Sequence, residues 1–340
     1  MRFTVVGAGA IGGTVGSHLV RAGDAVRLVD GDRGHVDAMR ARGLTLRAAG
    51  GEVTVAVDAA SPDEVAGRLG TVLLCVKAQD TRSAAEWCAP RMGRGDCVVS
   101  LQNGLCERTI AAVVGDDRTV GAFVNFSADL VEPGVIQFGG PGTFVVGELD
   151  GRRSPRVEAI AERLRAFLPV TVTDNVFGYL WAKLGYANML FATALVDATM
   201  ADVIERHPDL MVELACEVYD VAADLGVSLQ PFDDVEPQLY HPRQGRDPAR
   251  LEAAMASLVA RRRRDGKAKS GIWRDLAVRH RRTEVDDQLG AVIEIGAARG
   301  LPCSLTRALV ARIHELESGR RPMGWANVQE LERLRVAGSG

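Results

Sequence analysis

Aromatic side chains are scarce in this sequence: 5% of 340 residues, with 4 Trp and 4 Tyr. Proteins that hold single-stranded nucleic acid stack bases on aromatic faces, and that supply is missing here. Charge of one sign is missing too. Lys and Arg number 41 against 44 Asp and Glu, a net charge of −3. So balanced a chain exerts no broad pull on nucleic acid or anionic membrane, and neither is expected as a partner. Nowhere do apolar residues run for the roughly 18 positions that a membrane-spanning helix needs. The opening MRFTVVGAGAIGG lacks the long apolar core of a signal peptide. It reads instead as a buried strand entering a glycine-rich turn.

Metal-binding patterns are also absent. Cys75, Cys88, Cys97, Cys106, Cys216 and Cys303 form no C-x-x-C pair, and their spacing fits no zinc site. The six histidines form no metal-like cluster, so no metal is expected. Several cysteines sit inside apolar runs, as small buried hydrophobes do. A reducing, cytoplasmic setting is the expectation.

What the sequence does contain is globular: 47% hydrophobic and 25% charged residues. At about 150 residues per domain, the length suits two domains. In the first half, short apolar runs alternate with helical patterns. Phe3 to Val6, Val26 to Val29, Thr71 to Val76, Cys97 to Leu101 and Val120 to Val124 read as buried strands. Ile11 to Ala22 and Thr81 to Met92 read as helices between them. This alternation predicts a Rossmann-type, doubly wound α/β sheet. Gly50-Gly51 and the run Gly139 to Gly142 read as two hairpin turns. After Thr173 helical patterns dominate: Asn175 to Ala198, Ala201 to Leu225, Pro248 to Arg264, Glu284 to Arg299 and Ser304 to Leu316. The expected organisation is a dinucleotide-binding domain over 1–173 and an all-helical domain over 174–340. The last residues, Val336 to Gly340, read as a frayed tail.

Gly7-Ala8-Gly9-Ala10-Ile11-Gly12 is G-x-G-x-x-G, placed between a strand and a helix as a dinucleotide site requires. Gly7 permits the tight turn, Gly9 lets the backbone approach a pyrophosphate, and Gly12 lets the helix lie close to the strand. The first amides of the helix and its dipole favour phosphate charge. Asp30 ends the second strand, 18 residues after Gly12. A carboxylate there accepts from the ribose hydroxyls and repels a 2′-phosphate, which favours NAD(H). Arg33 could turn to a 2′-phosphate, which leaves NADP(H) open. Asp30 also suits a plain turn at a strand end. Lys77 and Asn103-Gly104 each follow a strand at its carboxyl end, where open α/β sheets bind ligands. Lys77 could equally be a solvated loop lysine, and Asn103-Gly104 a simple turn.

Taken in order, GAGAIGG, CVKAQD at Lys77, LQNG at Asn103, LWAKLGYAN around Lys183 and RRTEVD around Glu284 resemble the ketopantoate reductase (2-dehydropantoate 2-reductase) family, from Met1 to about Leu316. The resemblance implies reduction of the keto carbon of ketopantoate, or a related 2-oxo acid, by a nicotinamide cofactor. It implies that Lys183 is the general acid, that Glu284 helps hold substrate, and that Asn103 lies close to nicotinamide and substrate. It also implies that Ser270 meets the substrate carboxylate and that the helical domain pairs in a homodimer. Apolar residues around much of Met189 to Ala198 and Leu210 to Ala223 fit such pairing. A positioned ammonium would stabilise charge growing on the carbonyl oxygen and deliver the proton. Desolvation would lower its pKa and Glu284 would raise it.

The chain also departs from the family pattern. Ala187 and Phe191 stand where many relatives carry asparagines that meet the substrate. Asn188, one residue later, is the remaining amide for that role but lies about 100° around the helix and off the cleft side, so the pocket is expected to lose amide donors and to gain an aromatic wall at Phe191. Asp30 stands near where the family usually places an Arg. These differences leave open a relative that reduces a bulkier carbonyl or an imine, and a non-catalytic dinucleotide sensor. Without the motif, Lys183 is an ordinary lysine on an amphipathic helix, and Glu284 is a helix-start acid beside its cap Thr283.

Overall fold

The computed structural model describes residues 1–264 and 268–338, in two compact units, Met1–Val176 and Phe177–Gly340. The expected boundary after Thr173 falls three residues earlier.

In the first unit the strands are β1 (Arg2–Val6), β2 (Ala25–Val29), β3 (Leu44–Ala48), β4 (Gly51–Val55), β5 (Asp58–Ala60), β6 (Thr71–Leu74), β7 (Val98–Ser100), β8 (Thr119–Val124), β9 (Ser127–Glu132), β10 (Val135–Gly140), β11 (Phe144–Glu148) and β12 (Thr171–Val172). The helices are α1 (Ala10–Arg21), α2 (Arg33–Arg42), α3 (Thr81–Cys88), α4 (Cys106–Val114) and α5 (Pro155–Leu164). Eight strands form one sheet in the order β12-β11-β8-β7-β6-β1-β2-β5. Its pairs are parallel except β11 with β8. This is the doubly wound α/β arrangement that the strand–helix alternation predicts. Side chains alternate across it: Phe3 and Val5 enter one buried cluster, and Val6, with Val29 and Leu74, enters the other.

A second sheet, β4-β3-β10-β9, lies across α1 from the first, so α1 is packed on both sides. Its glycines make this possible. A Cβ at Gly13 would meet Ile136 Cδ1 at 2.5 Å, and one at Gly16 would meet Leu28 Cδ2 at 2.5 Å.

The hairpin expected around Gly139 to Gly142 is wrong. β10 pairs with β9 and β3, whereas β11 belongs to the large sheet. The real hairpin is β9–β10, turning at Gly134 with φ +80°. The glycines at 139 and 142 serve close crossing instead. A Cβ at Gly139 would meet Ser127 Oγ at 2.7 Å, and one at Gly142 would strike the Asn125 carbonyl.

The helices from Val176 on are α6 (Val176–Thr193), α7 (Met200–Arg206), α8 (Pro208–Asp224), α9 (Pro248–Arg264), α10 (Gly271–Ala277), α11 (Ala291–Ala297), α12 (Ser304–Glu317) and α13 (Trp325–Gly338). The helix expected over Ala201 to Leu225 is broken at His207-Pro208, because proline has no N–H to continue the ladder and fits the first turn of a new helix. The tail expected to fray is helical through Gly338, and residues 339–340 lie outside the described residues. Leu331 and Val328 on α13 are buried, which anchors that end. Among the described residues no helix is long and apolar enough to cross a membrane, and no cluster of His, Cys, Asp and Glu is placed to hold a metal ion.

Candidate active site

Four expected residues of the first unit fall along one edge of its sheet. Neighbouring parallel strands β7, β6, β1 and β2 carry, beyond their carboxyl ends, Asn103, Lys77, Gly7 and Asp30. That edge is where open α/β sheets hold ligands. Asn103 and Lys77 are both exposed. Between them works a residue that the motif reading passed over. The buried Gln102 side chain donates to the Val76 carbonyl at 2.9 Å and to Thr81 Oγ1 at 2.8 Å, so it ties the loop after β7 to the loop after β6. Its signal in the sequence was only its place beside Asn103.

The glycine turn can be divided by cause. A Cβ at Gly7 (φ +93°) would come within 2.7 Å of the Cys75 carbonyl carbon, and one at Gly12 would strike the Gly7 carbonyl and Val5. Packing alone demands glycine at both positions. At Gly9, the N-cap of α1, nothing lies within 4 Å of where a Cβ would be. Glycine there is not required by the fold. It keeps open the space beside the amides of Gly9, Ala10 and Ile11, and a pyrophosphate fits that cradle. Ala8 is buried, with its carbonyl turned inward to His35.

Asp30 Oδ1 accepts the Asp32 N–H at 2.9 Å, which fixes the carboxylate at the end of β2. Asp32 in turn caps α2 by accepting the His35 N–H at 3.1 Å. Arg33 pairs with Asp63 at 2.8 Å. Both partners are exposed, so solvent screens the pair and it contributes little to stability.

In the second unit Lys183 lies in the middle of α6, half-buried. Desolvation pulls its pKa down from 10.5 to about 8, while the nearby charges of Glu284 and Asp233 push it up. Both directions expected from the sequence are present. Asp233 was not foreseen. It sits at φ +45° in the loop between α8 and α9, where an acidic residue carries no motif.

Glu284 is half-buried and follows a braced residue. The Thr283 N–H and Oγ1 both donate to Glu317 Oε1, at 2.7 and 2.8 Å, and Thr283 Oγ1 accepts the Val285 N–H at 3.3 Å. The expected α-helix then opens as a π turn, Asp286–Gly290, before α11. Such irregular turns recur at functional sites. Ser270 is buried and caps α10 by accepting the Trp273 N–H at 3.1 Å.

Asn188 does not serve as expected. It is 0% exposed, and its amide donates to the Leu214 carbonyl at 2.7 Å and to Thr306 Oγ1 at 2.8 Å. The turn of about 100° from position 187 carries it into the helical core. Phe191 is likewise packed in the core, 1% exposed, rather than standing as the expected aromatic wall, and Ala187 is half-buried.

With this geometry established, comparison with known proteins is decisive. Residues 3–151 match the model for ketopantoate reductase PanE/ApbA, and residues 175–317 match that for ketopantoate reductase PanE/ApbA, C terminal. The chain belongs to the ketopantoate reductase family. It is therefore an oxidoreductase of a nicotinamide-dependent type. Among its relatives, the 2-dehydropantoate 2-reductase of Mesorhizobium japonicum is 28% identical, over 93% of this chain and 98% of that one. The 2-dehydropantoate 2-reductase of Pyrococcus horikoshii is 27% identical over 94% and 98%. A PanE/ApbA family ketopantoate reductase from Ralstonia eutropha superposes with a TM-score of 0.78 at 28% identity, covering 94% of this chain and 99% of that one. D-mandelate dehydrogenase, solved with NADH and anilino(oxo)acetate, shares the fold, with a TM-score of 0.80 at 21% identity over 94% and 99%.

Proposed function

We propose that this family member reduces the keto group of a 2-oxo acid, ketopantoate or a near relative, with Lys183 as general acid. The observation that carries the reading is the half-buried Lys183, drawn to a pKa of about 8 beside Glu284 and Asp233. A lysine poised there is mostly protonated at neutral pH yet gives up its proton far more readily than a solvated one. A bound reduced nicotinamide supplies the hydride. The Lys183 ammonium holds the carbonyl oxygen, stabilises the negative charge that gathers on it, and passes it a proton; solvent then reprotonates the amine. Glu284 and Asp233 oppose desolvation and keep the ammonium charged until it is needed. Asn103 orients the nicotinamide and substrate, and the Ser270 hydroxyl, already accepting from Trp273, retains its proton to donate to a substrate carboxylate.

The first domain (1–173) is read as holding the dinucleotide. Gly7 and Gly12 shape the turn, and the amides from Gly9 to Ile11 meet the pyrophosphate. Lys77 meets phosphate or ribose oxygens. Asp30 meets the adenosine ribose and favours NAD(H) over NADP(H), because a 2′-phosphate would face its carboxylate. Arg33, engaged with Asp63, is not committed to such a phosphate. The second domain (174–340) is read as the substrate domain, paired with its copy in a homodimer.

A second reading is supported by Asn188. With that amide spent in the core and Ala187 in place of a family asparagine, the site has fewer donors for substrate hydroxyls. A pocket without those partners binds a hydroxylated acid poorly, which favours a more apolar 2-oxo acid or another carbonyl.

The test is oxidation of NADH and of NADPH against a panel of 2-oxo acids that runs from ketopantoate to aryl-substituted members. The proposal expects turnover with NADH on at least one. Binding of dinucleotide without turnover on any carbonyl or imine would point to a sensor. A strong preference for NADPH would overturn the role given to Asp30.

A further inference from the structure

His35 lies on α2, 1% exposed, and none of the motifs accounts for it. Its ring is held between two backbone groups. The Gly134 N–H donates to Nδ1 at 3.0 Å, and Nε2 lies 2.9 Å from the Ala8 carbonyl oxygen. A backbone N–H can only donate and a carbonyl can only accept. The two contacts therefore fix a neutral ring with its proton on Nε2. Gly134 is the turn of the β9–β10 hairpin in the small sheet, and Ala8 is the residue between Gly7 and Gly9. One imidazole thus links the small sheet to the glycine turn.

We propose that His35 is a positioning residue for the phosphates of the dinucleotide, holding the Ala8–Gly9 peptide with its carbonyl inward and its N–H outward. This rests on the dinucleotide reading of the glycine turn. A trans peptide is planar, so its C=O and N–H point to opposite sides. With the Ala8 carbonyl bound to His35, the Gly9 N–H faces away from the ring. Glycine at position 9 leaves room for a ligand, but it also frees this peptide to rotate, because glycine pays little for unusual φ and ψ. A rotated peptide would present carbonyl lone pairs to an anion and repel it. The hydrogen bond to His35 removes that alternative, so the cradle need not be ordered when the ligand arrives. The contact with Gly134 turns the ring so that Nε2 meets Ala8, which gives the small sheet a part in cofactor binding.

ADP-ribose is the probe, titrated by calorimetry into the unsubstituted protein, His35→Leu and His35→Gln. Leucine fills the space and removes both contacts. Glutamine restores a donor of similar reach toward Ala8 but leaves Gly134 without its acceptor. Both variants should melt lower, and binding is measured below their transitions. His35→Leu should bind ADP-ribose about tenfold more weakly, the loss that one hydrogen bond of ordinary net strength gives. His35→Gln should recover most of that affinity but not the lost melting temperature. With dinucleotide saturating, kcat should be unchanged in both. In the unsubstituted protein, the His35 Nε2–H and Gly9 amide resonances should shift together as ADP-ribose is added, a readout that holds even where His35→Leu does not fold. Equal affinity in a folded His35→Leu, or no recovery in His35→Gln, would overturn the proposal alone. No binding of ADP-ribose or NADH by the unsubstituted protein would overturn the dinucleotide reading as well.

Discussion

Lys183 and Asn188 lie five residues apart on one helix, and the sequence marks them differently. Lys183 stands in a motif, LWAKLGYAN, whose lysine has a chemical reason to be there. The fate of Asn188 was set by Thr306, 118 positions away, and by a carbonyl on α8. No local pattern announces such a partner. Asp233, Gln102 and His35 were invisible for the same reason, since each acts through contacts that only the folded chain creates. The charge balance around Lys183 makes a prediction at this scale. If Lys183 is the general acid proposed, the reduction needs its ammonium, so kcat/KM should stay level below a pH of about 8 and fall as pH rises through the lysine pKa. Glu284 raises that pKa, so Glu284→Gln should move the break to lower pH. A pH–rate profile measures both. A break that stays in place in Glu284→Gln would separate Glu284 from the lysine.

Elements were readable where one pattern had one cause. The strands at the sheet centre, β1, β2, β6, β7 and β8, were each marked by a mostly apolar run, interrupted by single polar residues such as Thr4, Arg27 and Ser100, because both faces are covered. The run Gly139 to Gly142 had two possible causes, a turn or a close crossing, and the sequence alone favoured the wrong one. Helix α4 holds a further consequence. Glu107 in its first turn is fully buried, and desolvation pushes its carboxyl up to about 7. A carboxyl raised above its unfolded value contributes stability that is fully present at acid pH. That stability is lost as pH climbs from the ordinary carboxylate range through about 7. Glu107→Gln keeps the shape without the titration, so its melting temperature should exceed that of the unsubstituted protein at pH 8 and match it more closely at pH 5. Melting curves at the two pH values check this. A lower melting temperature at pH 8 would mean that the carboxylate is held by partners.

For the whole molecule, the α/β unit followed by a helical unit was legible because the texture of the sequence changes near residue 174. Much of the apolar surface of α6 and α8 is already covered within one chain, Met189, Phe191, Leu210 and Leu214 among it. The homodimer is thus proposed on family resemblance rather than on uncovered faces. Light scattering should give twice the 36.4 kDa of one chain, and a single-chain mass over a wide concentration range would contradict pairing. The account as a whole turns on whether Lys183 does chemistry or merely fills space in α6. Single-turnover reduction by Lys183→Ala, measured alongside NADH titration and thermal melting, separates the two. The account predicts a rate lower by about 10²-fold or more, with NADH affinity nearly unchanged because the first domain holds the cofactor. A folded Lys183→Ala protein that keeps near-full reduction rate would contradict it.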